Sequence, residues 1–305
     1  MLKKIKNFFL NKEIRFNYLT EMGFFNHLSD EEFLKKKYEL LMGKELNLNP
    51  PVTFNEKLQW LKIHDHNPLY TTMVDKYAAK DYVANIIGKE HIIPTLGVWD
   101  HFDEIDFEQL PNEFVLKCTH DSGGLVICHD KNKLDRKAAK RKIEKCLKRN
   151  YYWSGREWPY KDVKPRIIAE KYMTDRENTG IKVNKSLTDY KFYCFDGEPK
   201  YLYVSDNMAE HDKAHVSFLN MDYSKAEFKR TDYQSFKNIP TCPVSFEQMR
   251  RLAIKLSKDT KFLRVDFYEI NRQIYFGELT FYPCSGFMPF EPEEWDTKLG
   301  KMIQL

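Results

Sequence analysis

Two acidic residues near the C-terminus could do chemistry together. Asp266 lies in Arg264-Val265-Asp266-Phe267 and Glu278 in Tyr275-Phe276-Gly277-Glu278-Leu279-Thr280. Both runs are apolar and aromatic-rich, and the polar stretch Glu269-Ile270-Asn271-Arg272-Gln273 between them predicts a β-hairpin turn. Residues i and i+2 of a strand share a face, so Glu278 and Thr280 point the same way. Pairing about the turn then sets Asp266 beside them. Two carboxylates converging in apolar surroundings repel unless a cation or a proton lies between them. Magnesium held by carboxylates and substrate phosphates is the usual solution. Solvated hairpin acids are the plain alternative.

Other groups have the chemistry that phosphates need. Phe114-Val115-Leu116-Lys117-Cys118-Thr119-His120-Asp121-Ser122-Gly123-Gly124 places Lys117 in an apolar strand just before a glycine turn. Consecutive glycines let backbone NH groups approach oxyanions, and a lysine can meet the same phosphates as a point charge. Most such turns only close hairpins, but a lysine inside an apolar strand is costly without a partner. Asp75-Lys76 opens a predicted helix, and Glu170 ends the apolar strand Ile167-Ile168-Ala169-Glu170-Lys171-Tyr172-Met173. Each of these taken alone fits a surface residue equally well.

Composition narrows the class. The chain has 305 residues, enough for one large domain or two ordinary ones. Its 49 Lys and Arg against 45 Asp and Glu give a net charge of +4, short of the localised basic excess of a nucleic-acid protein. No CxxC or other metal-ligand spacing occurs among Cys118, Cys128, Cys146, Cys194, Cys242 and Cys284. No apolar run approaches the roughly 18 residues of a membrane span, and no signal peptide is evident. Free thiols in a reducing cytoplasm are the simplest expectation. Leu2, Ile5, Phe8 and Phe9 recur at helical spacing among Lys3, Lys4, Lys6 and Lys12. Such a basic amphipathic helix could touch the inner membrane surface peripherally. Packing on its own domain, or fraying, is the simpler reading.

The elements that must position these residues follow an α+β pattern. Residues 1–65 read as a helical N-terminal region, with Ser29 and Glu32 as a capping pair and Phe54, Leu58 and Leu61 at helical spacing. Asp75–Ile87 is a helix closed by Gly88, and Ile92–Trp99 an edge strand because of Pro94. Strands are expected at Phe114–His120, Leu125–Cys128 and Arg166–Met173, and helices at Lys137–Arg149 and Phe246–Leu256. Lys191–Phe195 and Lys200–Val204 pair through Asp196-Gly197, a favoured hairpin dipeptide. No GxGxxG or βαβ alternation supports a dinucleotide-binding fold.

Taken in order, the Asp-Lys helix, the lysine strand with its glycine loop, the Glu-Lys-Tyr strand and the Arg-x-Asp/Glu-x-Thr pair resemble the ATP-grasp superfamily over residues 75–286. Further phrases resemble its TupA-like branch, associated with teichuronopeptide and capsule assembly. They are Lys57-Leu58-Gln59-Trp60-Leu61, Asn67-Pro68-Leu69-Tyr70, Asn150-Tyr151-Tyr152-Trp153, Asp189-Tyr190-Lys191-Phe192 and Gly277-Glu278-Leu279-Thr280-Phe281-Tyr282-Pro283. The resemblance implies an ATP-grasp domain over 66–305. A glycine-loop subdomain near 90–170 and a metal-site subdomain near 171–305 would grip ATP between them.

The resemblance also implies roles. Lys76 and Lys117 would meet the ATP phosphates under a loop of Ser122, Gly123 and Gly124. Glu170, Lys171 and Tyr172 would meet adenine, and Asp189 the ribose. Lys191 would face phosphates or acceptor, Arg264 the transferred phosphate, and Asp266 and Glu278 Mg2+. Two positions depart from the pattern. Thr280 stands where many relatives carry asparagine, and Asp121 puts an acid beside the expected triphosphate. The implied reaction is ATP-dependent amide formation between a glycan or sugar carboxylate, such as a uronic acid, and an amine, through an acylphosphate. A kinase on the same scaffold, or a glycosyltransferase, is the alternative. Tyr151, Tyr152, Trp153 and Trp158 could stack on a sugar and Arg156 could clamp a carboxylate; core packing is the competing explanation.

Overall fold

A computed structural model of the chain describes residues 11–174, 187–208 and 211–305. The amphipathic expectation for Leu2 to Phe9 lies outside these residues. The chain begins with helices α1 (Lys12–Glu21), α2 (Asp30–Met42), α3 (Phe54–His64), α4 (Leu69–Val74) and α5 (Ala78–Ile87). A capping box at Ser29 and Glu32 starts α2, and another at Thr53 and Glu56 starts α3. The helix expected from Asp75 begins at Ala78. Asp75 Oδ1 instead accepts the backbone N–H groups of Tyr77 and Ala78, at 2.9 and 3.4 Å, and so caps α5 from outside.

Next come strands β1 (Thr95–Trp99), β2 (Phe114–Cys118) and β3 (Leu125–Cys128), helices α6 (Arg136–Leu147) and α7 (Tyr152–Gly155), and strand β4 (Ile167–Lys171). These four strands form an antiparallel sheet in the order β1-β4-β2-β3, so the strand after Pro94 is an edge. Phe114, Leu116 and Cys118 of β2 alternate into a core with Ala139, Ile143 and Cys146 of α6. Val115 and Lys117 therefore face the other way.

The remaining elements are β5 (Asp189–Phe195), β6 (Glu198–Asp206), β7 (His215–Asn220), β8 (Lys229–Arg230), α8 (Phe246–Ser257), β9 (Phe262–Ile270), β10 (Gln273–Thr280), β11 (Phe290–Glu291) and α9 (Glu294–Gly300). Five of them form a second antiparallel sheet ordered β10-β9-β5-β6-β7. Tyr190, Phe192 and Cys194 of β5 and Leu263, Val265 and Phe267 of β9 join the main core with Met249, Leu252, Ala253 and Leu256 of α8. The Phe192 and Phe246 rings stack with centroids 5.9 Å apart. Asp189 and Lys191 of β5, with Arg264, Asp266 and Tyr268 of β9, take the opposite face.

The C-terminal hairpin is tighter than its sequence predicts. Its turn is only Asn271-Arg272, both left-handed with φ of 52° and 64°, while Glu269, Ile270 and Gln273 belong to the strands. Side chains of Asn are tolerated there, and two consecutive positive φ values match the twist of a two-residue hairpin. Asp196 and Gly197 turn the β5–β6 hairpin in the same way, at 47° and 80°.

Candidate functional site

The two sheets contribute facing side chains to one cleft of about 500 Å³, within the usual size range of a small-molecule site. Lys76, Lys117, Ser122, Glu170, Asp189, Lys191, Arg264, Asp266 and Glu278 line it. Gly123, Gly124, Lys171, Tyr172 and Thr280 are not part of that lining.

The carboxylate pair depends on a bulge. Along β9 and β10 the register runs Ile270↔Gln273 to Phe267↔Phe276, then resumes at Val265↔Leu279 and Arg264↔Thr280. Gly277 and Glu278 together oppose Asp266. An unbulged ladder would put Glu278 opposite Val265, on the core face. Gly277 allows the close approach: a Cβ there would lie 3.2 Å from Asp266 Cβ, Asp266 O and Tyr268 Cε2.

Three cations hold these acids. Arg264 Nε and Nη2 donate to Asp266 Oδ1 and Oδ2 at 2.7 Å each, and Nη2 also donates to Glu278 Oε1 at 2.6 Å. Lys191, the cross-strand neighbour of Asp266, reaches its Oδ2 at 2.9 Å and Asp189 Oδ1 at 3.2 Å. Burial pushes Glu278 up, but Arg264, Lys76 and Lys191 outweigh it and hold the carboxyl at about 2. Burial dominates at Asp266, which is raised although Arg264 and Lys191 oppose the shift. Thr280 Oγ1 donates to Glu278 Oε1 at 3.2 Å, so its hydroxyl is engaged in orienting that carboxylate.

Two carboxylate oxygens, Asp266 Oδ2 and Glu278 Oε1, flank one guanidinium nitrogen, Arg264 Nη2. That donor set fits Mg2+, which takes one or two carboxylates together with substrate phosphates. Among the described residues no cluster of three or more His, Cys, Asp or Glu forms a metal cage.

Across the cleft Glu170 is 6% exposed and gripped twice. Lys80 Nζ lies 2.5 Å from Oε1 and Lys117 Nζ 2.6 Å from Oε2. Burial raises the Glu170 carboxyl, and Lys117 and Lys80 together pull it below its usual value. Left unpaired, such a buried charge would cost several kcal/mol. Sequence reading missed Lys80. The signal was its place on the buried stripe Ala79, Val83 and Ile87 of α5, four residues after Lys76. The backbone N–H of Lys171 donates to Pro94 O at 3.0 Å, while Tyr172 meets the His129 ring edge-on at 4.9 Å.

The glycine loop is fixed from behind. Lys76 Nζ donates to Asp121 O at 2.7 Å. The Asp121 carboxylate turns from the cleft to Arg149 Nη2, at 3.0 and 3.1 Å, and accepts Ser122 N–H at 2.6 Å. This removes the acid from any triphosphate. Gly124 is glycine for packing, since a Cβ would lie 2.5 Å from Cys118 Sγ; Gly123 has open space by comparison, with Arg149 Nη2 nearest at 3.6 Å.

At the other end, Cys284 lines the cleft on a left-handed turn with φ of 51°, 53° and 68° at Cys284, Ser285 and Gly286. Gln59 and Lys62 of α3 brace it. Gln59 Nε2 donates to Gly286 O at 2.6 Å and Lys62 Nζ to Ser285 O at 2.8 Å. Arg156 is not in the cleft. It is 1% exposed, lies 4.6 and 4.4 Å from the Phe33 and Trp153 ring centroids, and donates to Phe25 O at 2.9 Å. Trp158 stacks on His66 at 4.7 Å. Tyr151 packs edge-on against Tyr160, which does line the cleft.

The family model described as TupA-like ATPgrasp matches residues 56–304. The chain belongs to the TupA-like ATP-grasp family. Its membership rests on that match, which spans both sheets and every cleft residue named above. Similar solved structures include the D-alanine–D-alanine ligase of Bacillus anthracis complexed with ATP, at 13% identity and TM-score 0.42, covering 90% of this chain and 72% of that one. The D-alanine–D-alanine ligase of Helicobacter pylori gives 15% identity and TM-score 0.40, covering 91% and 71%. The ATP-grasp ligase PsnB with a phosphomimetic minimal precursor, Mg and ADP gives 10% and 0.38, covering 74% and 57%. No curated protein matches the chain. Among its described residues this TupA-like protein has no helix long and apolar enough to cross a membrane.

Proposed function

We propose that the protein is an ATP-dependent, ADP-forming carboxylate–amine ligase. Its acceptor would be a uronic acid or similar carboxylate of a bacterial surface polysaccharide or its precursor. The observation that carries this reading is the convergence of Lys76, Lys117, Lys191 and Arg264 with the Asp266–Glu278 pair in one cleft. Family membership supports it, since ATP-grasp ligases activate carboxylates by phosphorylation.

Each group has a part in this reading. Asp266 and Glu278 would hold Mg2+, which neutralises phosphate charge as it transfers. Thr280 orients Glu278. Lys76 and Lys117 bind the phosphates beneath Ser122, Gly123 and Gly124. Glu170 would meet adenine from the cleft wall, with Lys171 and Tyr172 following it in the chain outside the lining, and Asp189 would take the ribose hydroxyls. Arg264 and Lys191 stabilise the transferred phosphoryl group and position the acceptor carboxylate. The carboxylate oxygen attacks γ-phosphorus and ADP leaves; the amine then attacks the acylphosphate and phosphate leaves. The protein supplies positioning and charge rather than a covalent nucleophile. Consumption of ATP fits a cytoplasmic reaction, with peripheral contact at the inner membrane face where the acceptor is lipid-linked.

The decisive experiment uses uronate labelled with ¹⁸O in its carboxyl group, together with amine and Mg-ATP. One ¹⁸O should appear in the released phosphate. Unlabelled phosphate alongside amide product would exclude the acylphosphate. A stable phosphorylated sugar formed without amine would make the protein a kinase, and sugar transfer indifferent to ATP a glycosyltransferase.

A further inference from the structure

The cleft extends beyond the groups assigned above. Asp266, Lys191 and Tyr203 are cross-strand neighbours on β9, β5 and β6. Two strand spacings put the Tyr203 backbone roughly 10 Å from that of Asp266. Arg230 of β8 lies against Tyr203 and lines the same end of the cleft with Tyr233 and Cys284. Its guanidinium is 4.8 Å from the Tyr233 ring centroid and 5.8 Å from that of Tyr203.

The guanidinium is buried and fixed in orientation. Arg230 is 8% exposed. Nε and Nη2 donate to Asp232 Oδ1 and Oδ2 at 2.8 and 2.5 Å, and Nη1 donates to the Tyr203 hydroxyl at 3.2 Å. Asp232 does not line the cleft; it takes the Nε–Nη2 edge of the fork, while Nη1 meets the Tyr203 hydroxyl and the guanidinium also meets the Cys284 thiol, both groups of residues that line the cleft. Glu170, Asp189, Asp266 and Glu278 are the cleft's lining carboxylates among the described residues, and none is an ion-pair partner of Arg230. A guanidinium fixed this way keeps Nη1, beside the Tyr203 hydroxyl, as the donor for one charge-assisted contact to an oxyanion.

We propose that Arg230, with the Tyr203 hydroxyl, binds a second oxyanion carried by the acceptor, remote from the carboxyl that reacts. This rests on the ligase reading and narrows it. The acceptor carries two anionic groups, such as a uronate bearing a phosphate ester or a neighbouring uronate. Tyr233, half-buried at this end of the cleft, supplies ring surface for the sugar between the two anions, while the Tyr203 ring is packed in the core and offers only its hydroxyl.

Isothermal titration calorimetry on full-length protein saturated with Mg-ADP tests this with glucuronate, glucuronate 1-phosphate, glutamate and suberate. Wild type should bind glucuronate 1-phosphate about tenfold more tightly than glucuronate, the increment of one charge-assisted contact. R230M should abolish that preference and R230K restore part of it. D232N should enlarge it, because a competing carboxylate is gone; a merely structural arginine would weaken instead. Thermal midpoint and Mg-ADP affinity report whether each variant is folded, and D232N decides if R230M is not. Preference retained in folded R230M, or lost in D232N, overturns the proposal. An Arg230-dependent gain for glutamate alone would put the oxyanion on the amine and overturn its placement on the acceptor. Suberate, a dicarboxylate without a sugar, separates the two levels. If neither uronate binds while suberate weakens in R230M, the uronate reading fails and the Arg230 site stands. Suberate binding indifferent to R230M overturns the site.

Discussion

Asp266 and Glu278 share a face of the sheet because Gly277 is one residue more than the β9–β10 ladder needs. The even spacing between the two acids does not achieve this by itself. Around a two-residue turn Asp266 pairs with position 277, and Glu278 would follow Val265 into the core.

Gly277→Ala should therefore damage the site more than the fold. The new Cβ would press on Asp266 and Tyr268 at 3.2 Å, so the Asp266 carboxylate has to shift. Turnover of Mg-ATP should fall about tenfold or more, as misplacement of reacting groups commonly does. Full turnover with an unchanged thermal midpoint would show that the bulge does not set the geometry.

Asp266→Ala and Asp266→Asn should separate structure from chemistry. Asp266 is 1% exposed and pairs with both Arg264 and Lys191. Alanine leaves two cations without it and should cost about 3–5 kcal/mol of stability. Asparagine keeps the shape and hydrogen-bonding oxygen, so its stability loss should be smaller. Both should lower turnover about a hundredfold or more, the scale of removing one electrostatic stabiliser. Urea unfolding and ADP release check the two halves. Wild-type turnover in Asp266→Asn sinks the metal-ligand role.

Acid stability should report on Glu278. Its carboxyl is held at about 2 against an ordinary 4.5. A depressed carboxyl stabilises the fold fully above its unfolded pKa and loses that contribution as pH falls through its folded pKa. The stability advantage of wild type over Glu278→Gln should be constant above about pH 5 and shrink between about 4.5 and about 2. Urea midpoints of both proteins at about pH 6, above the window, and at about pH 4 and about pH 3, inside it, would show it. An advantage that grows on acidification would contradict the ion-pair geometry.

Arg149→Ala should loosen the glycine loop without touching the cleft lining. It removes the partner that draws Asp121 backward. Hydrogen exchange over residues 119–126 should speed up, and the KM for ATP should rise several-fold with a smaller change in kcat. Exchange in wild type should slow when a non-hydrolysable ATP analogue and magnesium are added. A loop whose exchange ignores both the substitution and the nucleotide is a plain hairpin turn.

Much was legible in the sequence because it depends on neighbours along the chain. Alternation in Asp189–Phe195 and Phe262–Ile270 sorts polar from apolar faces. Asp196-Gly197 closes one hairpin, and Ser29 with Glu32 starts a helix. The ordered lysines, glycines and acids carry the family resemblance, which the match over residues 56–304 bears out.

Tertiary structure alone decided which polar groups meet. Lys80 is 90 residues from Glu170 by number, and Arg149 and Asp121 join across a helix. Arg156 is drawn into the Phe33 and Trp153 rings, and Arg230 is set beside the cleft by pairing of β8 with β11. No local propensity fixes such contacts, because each satisfies a polar or charged group that folding removes from water with a partner that only the assembled fold brings near. The bulge at Gly277 is of the same kind: only the packed core, by refusing Glu278, decides on which face that carboxylate stands.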